Sequence, residues 1–224
     1  MIQDSIIKKV TSLALKKIII PAIIAKTQEE FESRILKVHN FVEIIQLDFM
    51  DDNFVPNSSI DFDFKPPKTP CQLEAHLMIE HPMNWIFQHC DKVDTILVHL
   101  ESTKRPDKII NVVKRKDKKI GFVLNPETPV RRVVEYLDQI DQVLIMTVKP
   151  GFYGSPFLPT MLDKIEELRS LKPDLDIEVD GGITDATIDL VDKAGANMFV
   201  SGSYIVKSAD VEGAIHTLKS KLSN

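Results

Sequence analysis

Eight short runs, most of them rich in Val, Ile and Leu, punctuate this chain, at 18–24, 44–49, 72–78, 95–100, 119–124, 142–147, 176–179 and 198–201. Longer stretches separate them, several with apolar residues at helical spacing. Such alternation predicts repeated βα units on a parallel sheet, because a parallel pair needs a long crossover to bring the chain back to the same edge. Runs that are apolar throughout fit strands covered on both faces. Eight units in 224 residues match the usual size of a closed (β/α)8 TIM barrel. One domain spanning 1–224 is expected, since no low-complexity linker or compositional break divides the chain.

The intervening segments refine this picture. In 28–39, Phe31, Ile35 and Val38 share one helical face while Glu29, Glu30, Arg34 and Lys37 lie elsewhere, the pattern of a covering helix. Met161, Leu162, Ile165 and Leu168 repeat that spacing in 159–171, with Pro159 expected in the first turn, and 210–222 closes the chain in the same way. Segment 57–70 carries Pro66, Pro67 and Pro70 without helical period, so a helix there should be short or missing. Residues 1–17 are expected to form an N-terminal helical extension. Lys8, Lys9, Lys16 and Lys17 interrupt its apolar residues, which argues against a secretion signal. The run 18–25 is broken by Pro21 and is far shorter than the ~20 residues of a spanning helix. Cys71 and Cys90 read as reduced thiols, so a cytoplasmic location is expected. With 28 basic and 33 acidic side chains the net charge is -5. No broad positive field exists to attract nucleic acid or an anionic membrane, and a phosphate would need a local site.

In a parallel barrel, functional side chains come from the C-terminal ends of strands and the loops that follow. Those positions hold Gln46, Asp48 and Met50 on the second strand, His76 and Met78 on the third, and His99 and Glu101 on the fourth. Met146 ends the sixth and Asp180 the seventh. Period-two alternation turns Gln46, Asp48 and Met50 inward and Leu47 and Phe49 out towards the helices. A carboxylate facing a barrel interior is costly unless paired or coordinated, which makes Asp48 and Asp180 candidates for chemistry. Each candidate also has a structural alternative. The aspartates could cap loops or neutralise a lysine, and His76 could be a hydrogen-bonded core histidine. His99 and Glu101 could be structural, and Met50, Met78 and Met146 could be ordinary packing or a dry, polarizable wall around an intermediate. Glycine-bearing loops follow the last three strands: Gly151-Phe152-Tyr153-Gly154, Gly181-Gly182 and Gly202-Ser203. Three such loops at successive strand ends predict a phosphate site, where backbone N–H groups approach an anion closely.

Several motifs in order resemble those of ribulose-phosphate 3-epimerases. They are Leu47-Asp48-Phe49-Met50-Asp51 with Phe54-Val55-Pro56-Asn57, His76-Leu77-Met78, and Leu124-Asn125-Pro126. Met146-Thr147-Val148-Lys149-Pro150-Gly151-Phe152 and Glu178-Val179-Asp180-Gly181-Gly182-Ile183 complete the series. The resemblance implies a ribulose-phosphate-binding barrel that interconverts D-ribulose 5-phosphate and D-xylulose 5-phosphate by 1,1-proton transfer at C3 through an enediolate. It assigns the two acid/base roles to Asp48 and Asp180. It also implies a divalent metal, whether zinc, iron(II) or manganese, on Asp48, Asp180 and two histidines, of which His76 is one and the other position is Gln46. A small phosphorylated ketose as substrate and a homo-oligomeric assembly are implied as well. The alternatives are an epimerase of another ketose phosphate, such as a hexulose 6-phosphate, and a catalytically inactive sugar-phosphate-binding barrel. A related decarboxylase would need an Asp-x-Lys-x-x-Asp cluster at a strand end, which the sequence lacks.

The chain departs from the pattern in four places. Gln46 replaces a histidine and offers only an amide oxygen to a metal. Ala22 replaces the serine after the first-strand proline, where the family contacts substrate. Asp52 replaces a glycine, and Tyr153 puts bulk in the phosphate-loop motif.

Overall fold

The computed structural model describes residues 15–152 and 154–222. Nine strands occur in it: β1 (Ile18–Ile23), β2 (Ile44–Asp51), β3 (Ser58–Ser59), β4 (Gln72–Met78), β5 (Thr95–His99), β6 (Lys119–Leu124), β7 (Gln142–Met146), β8 (Asp176–Asp180) and β9 (Met198–Ser201). The parallel order β1-β9-β8-β7-β6-β5-β4-β2 closes where β1 pairs with β2, through Ala22 opposite Gln46. The eight barrel strands are those read from the sequence, and only their ends differ. β2 runs on to Asp51 because the two-residue β3 pairs antiparallel with its tip.

The helices are α1 (Gln28–Val38), α2 (Pro82–His89), α3 (Pro106–Arg115), α4 (Met161–Leu171), α5 (Ile188–Ala194), α6 (Ser203–Val206) and α7 (Val211–Lys221). α1 starts where Thr27 accepts a hydrogen bond from the Glu30 N–H, and it buries Phe31, Ile35 and Val38 as its spacing requires. α4 begins at Met161 behind Thr160, so Pro159 lies outside the helix and not in its first turn. Two short 3-10 turns, Val130–Arg132 and Val134–Tyr136, stand between β6 and β7. Of the N-terminal extension, residues 1–14 fall outside the described residues, and 15–17 are not helical.

Segment 57–70 has no helix, as its prolines require, yet it still covers the outer face of β2. It does so with aromatic rings. Phe64 lies 5.0 Å from Phe49 and 5.8 Å from Phe31, while Trp85 of α2 reaches Phe49 at 4.7 Å. Offset and edge contacts of this kind are favourable in addition to the area they bury.

Two apolar zones result from the pleat. Leu47, Phe49 and the other outward residues pack with the helices in one large core. Leu97, Val123, Leu144, Met146 and Val148 fill part of the barrel interior, and Ile20, Ala22, Met198 and Val200 fill another. Gly121 faces that interior, where a Cβ would meet Gln142 Cγ and Leu97 Cδ2 at 2.7 Å each. The space is already taken. Gly121→Val should therefore lower stability by about 1–3 kcal/mol through overpacking. Chemical denaturation checks this, and an unchanged midpoint would mean that the interior yields freely.

Candidate active site

Strand pairing sets the site's geometry. Asp48 sits opposite His76 and Met50 opposite Met78 across the β2–β4 ladder, and Met146 sits opposite Asp180 across β7–β8. Asp48 and Asp180 thus approach one another across the barrel mouth from strands separated by β1 and β9. His76 Nδ1 lies 3.3 Å from both Asp48 Oδ1 and Asp180 Oδ2. Gln46 Nε2 donates to Asp48 Oδ1 at 2.8 Å and to Asp180 Oδ2 at 2.9 Å. The sequence-predicted quartet is one contiguous cluster.

Burial makes the electrostatics strong. Loss of solvent pushes the Asp48 carboxyl above its usual value, and the nearby Asp180 charge adds to this against the hydrogen bond from His76. Burial alone would push the His76 imidazolium down, but hydrogen bonds and charge from the two aspartates outweigh it and lift His76 to about 9. Asp48, His76 and Asp180 each offer one donor atom, all within 4.8 Å of one another, a spacing that one divalent cation can bridge. Among the described residues, Gln46 Oε1 is buried without a hydrogen-bond partner. Turning the carboxamide over would present that oxygen to a cation as a fourth donor. Two carboxylates, an imidazole and an amide oxygen therefore suit a divalent ion, with a harder donor set than a second histidine would give.

His99 and Glu101 belong to the same neighbourhood. His99 Nε2 lies 2.9 Å from His76 Nε2, and His99 Nδ1 lies 3.5 Å from Glu101 Oε2. Burial holds the His99 imidazolium down at about 4. Burial of Glu101 works the other way, but the nearby His99 imidazole and hydrogen bonds from the Thr128 hydroxyl and the Asn125 N–H bring its carboxyl to about 2.

Above the cluster opens a pocket of about 280 Å³ lined by Asp48, Asp180 and the side chains of Ala22, Met50, Met78 and Met146. Gly151, Phe152, Gly154, Gly181, Gly182, Gly202 and Ser203 line it too, so the three glycine loops share one cavity with the aspartates. Tyr153 lies outside the described residues. Gly181 and Gly182 have φ of 115° and 67°, and a Cβ on Gly181 would meet Val148 Cγ2 at 2.3 Å. Loop packing alone therefore demands glycine there, before any ligand is considered. Asn57 Nδ2 donates to the Gly151 carbonyl at 2.8 Å and ties the loop after β2 to the loop after β7 at the pocket rim. Asp52, in the same loop, holds φ at 60°, a left-handed conformation that a glycine adopts without cost. Thr184 and Ser155 also line the pocket; the sequence reading passed over them because single hydroxyls in loops carry no periodic signal.

Residues 18–206 match the model of the ribulose-phosphate 3 epimerase family. The ribulose-phosphate 3-epimerase of Bacillus subtilis is 39% identical over 186 residues, covering 79% of this chain and 86% of its own. That of Eremothecium gossypii is 32% identical over 221 residues, 92% of each. That of Methanocaldococcus jannaschii is 38% identical over 185 residues, 80% of this chain and 79% of its own. Among solved structures, a 3-hexulose-6-phosphate synthase superposes with a TM-score of 0.65 at 20% identity, covering 92% of this chain and 100% of that one. The last likeness is one of fold.

Beneath the aspartates the interior holds a layer that the sequence reading missed: Glu74, Gln142 and Glu178, all buried. Gln142 Nε2 donates to Glu178 Oε2 at 2.5 Å and reaches Glu74 Oε2 at 3.4 Å. Burial raises both glutamates, Glu74 to about 7 and Glu178 well above its usual value, and the Glu74 charge adds to the effect on Glu178. Both carboxyls therefore hold their protons more readily than exposed glutamates do. Because the folded-state value of Glu74 is raised, its stabilising contribution is full below the unfolded value near 4.5 and is lost as pH rises through about 7. Glu74→Gln should thus gain stability relative to the parent on going from pH 5.5 to 8.5. Urea unfolding of the metal-free proteins at both pH values tests this, and a constant difference would mean that the Glu74 carboxyl is not raised in the folded protein.

Proposed function

The chain belongs to the ribulose-phosphate 3-epimerase family and is an isomerase of the epimerase type, and we propose that Asp48 and Asp180 carry its proton transfers. The substrate is D-ribulose 5-phosphate, interconverted with D-xylulose 5-phosphate at C3. One observation carries the assignment: two carboxylates from strands on either side of the β1–β9 pair converge at the floor of a pocket whose rim is three glycine loops.

Inversion at C3 requires a base on one face of the sugar and an acid on the other. One aspartate takes the C3 proton, the electron pair moves into the C2 carbonyl to give an enediolate, and the other aspartate returns a proton to the opposite face. Asp48, with its carboxyl raised by burial, can hold a proton nearer to neutral pH than an exposed aspartate can. Gln46 keeps both carboxylates aimed at one point. The phosphate is held by Gly151, Phe152, Tyr153, Gly154, Gly181, Gly182, Gly202 and Ser203, with α6 starting at Ser203 directly behind the last loop. Met50, Met78, Met146 and Ala22 form the apolar wall, where low water content strengthens every charge interaction. A divalent cation on Asp48, His76, Asp180 and the Gln46 amide oxygen would supply the positive charge that polarises C2–O and stabilises the enediolate. The buried, unpaired Cys71 and Cys90 fit the reducing cytoplasm expected from the sequence.

Two measurements test this. Asp48→Asn and Asp180→Asn should each lower kcat on D-ribulose 5-phosphate by about 10²–10⁴-fold with unchanged circular dichroism, since an amide cannot exchange the proton. Near-normal turnover in either variant removes the two-base assignment. Gln46→His should bind zinc more tightly than the parent in calorimetric titration, because imidazole is the better ligand for a borderline ion. Equal affinity would mean that residue 46 does not reach the cation.

A further inference from the structure

His76 and His99 are both fully buried, their rings stacked at 5.0 Å with 18° between planes, and their Nε2 atoms lie 2.9 Å apart. At that distance one nitrogen must carry the hydrogen and the other must accept it, because two bare or two protonated nitrogens would repel. The far end of the pair decides which. His99 Nδ1 faces Glu101 Oε2 at 3.5 Å, a long contact, and no shorter hydrogen bond reaches this buried nitrogen among the described residues. The other carboxylate oxygen of Glu101 is engaged by the Asn125 N–H at 3.0 Å and by the Thr128 hydroxyl. That leaves Oε2 for the histidine.

A carboxylate only accepts. His99 therefore carries its hydrogen on Nδ1 and leaves Nε2 bare, so it accepts from Nε2–H of His76. We infer that Glu101 and His99 are positioning residues which fix the tautomer of His76, so that its Nδ1 lone pair points at the Asp48–Asp180 centre. This rests on the reading of Asp48, His76 and Asp180 as cation donors. The same arrangement serves both states of the site. His76 Nδ1 can hold a cation or a proton between the aspartates, while the hydrogen on Nε2 stays where His99 holds it. The ring of Phe54, 4.7 Å from that of His99, packs against the pair. Partners of this kind beyond the ligands orient metal-binding imidazoles in general. Here the device has two histidines in series, and its origin is a His-x-Glu step in which β5 ends at His99 and a 3-10 turn, Leu100–Ser102, swings Glu101 back.

The experiment uses the ¹⁵N-labelled, metal-free full chain and long-range ¹H–¹⁵N spectra that distinguish the ring nitrogens. In the parent, His99 should show its hydrogen on Nδ1 and a bare Nε2; the reverse overturns the inference with no variant needed. Glu101→Gln supplies the second arm. Its amide oxygen must still serve Asn125 and Thr128, so its NH₂ faces His99 Nδ1, which drives the His99 hydrogen to Nε2 and the His76 hydrogen to Nδ1. Mn²⁺ affinity measured by calorimetry should then fall by about 10–100-fold. An unchanged His99 tautomer in Glu101→Gln overturns the relay, whatever the affinity does. If the parent shows the expected tautomer and binds no Mn²⁺, the relay is supported and the cation reading falls, so the two failures are separable.

Discussion

Charge inside a closed barrel is the constraint around which this molecule is arranged. Asp48, Asp180, Glu74 and Glu178 all project into the same interior, with His76 the imidazole nearest to them. Four carboxylates in so small a volume cannot all ionise without compensation, because water is excluded and each charge is desolvated and repelled by the others. The lower layer resolves the conflict by keeping Glu74 and Glu178 readily protonated, with the Gln142 amide donating to both. The upper layer resolves it with donors, His76 and Gln46, that sit between the aspartates. Only the upper solution leaves groups that can exchange a proton with a ligand, and only the upper layer opens to the pocket. Chemistry and stability are thus divided by depth along the same strands.

That division follows from the pleat and the register. Gln46 and Asp48 are two residues apart on β2, Glu74 and His76 on β4, and Glu178 and Asp180 on β8. β4 and β8 each contribute one side chain to the lower layer and one to the upper, whereas both of the β2 side chains serve the upper. A slip of one residue in any pairing would turn these groups out among the helices and bring Leu47, Leu77 or Val179 inside. The large apolar core between strands and helices opposes such a slip, since those outward residues are completely buried in it. Packing outside the barrel therefore sets the positions of charges inside it.

Sequence patterning made the eight strands readable because most are runs rich in Val, Ile or Leu and most are flanked by helical period, and both signals come from burial on two faces. It also made Asp48, Asp180, His76 and Gln46 readable, as polar residues in otherwise apolar strands and as parts of ordered motifs. The lower layer escaped notice for a physical reason. Glu74, Gln142 and Glu178 stand near the starts of their strands, where polar residues usually mark a solvent boundary, and nothing local shows that the three meet across the barrel. The covering of β2 escaped as well, since Phe62 and Phe64 carry no periodic signal in a proline-rich segment. Pro159 misled in the opposite sense. A proline near a helix start fits the first turn and also the turn just before it, and here Thr160 takes the boundary. The left-handed backbone at residue 52 accounts for the glycine of the family pattern, which it accommodates better than Asp, whereas nothing in the structure explains why Asp52 replaces it or why Ala22 replaces a serine.

Gln46 shows how a single exchange alters the balance of such a site. A histidine in that place would bring one lone pair and one N–H, whereas a carboxamide brings two N–H donors on one atom and an acceptor on the other. In the structure the nitrogen end faces Asp48 and Asp180, because two carboxylates attract donors and repel an oxygen. The cost is an amide oxygen buried without a hydrogen-bond partner among the described residues, which disfavours this orientation by roughly the desolvation of one acceptor, about 1–3 kcal/mol. Positive charge placed between the aspartates reverses the preference, since it attracts the oxygen and repels the N–H groups. The side chain is therefore a two-position element whose orientation depends on the charge at the centre. With no cation it bridges the two aspartates itself, and a cation between them would turn its oxygen inward as a donor. A histidine with its tautomer fixed by a neighbour, as His76 is by His99, has no equivalent freedom. Within one cluster the rigid imidazole sets where a cation can bind, and the reversible amide sets how the two aspartates are held when none is bound.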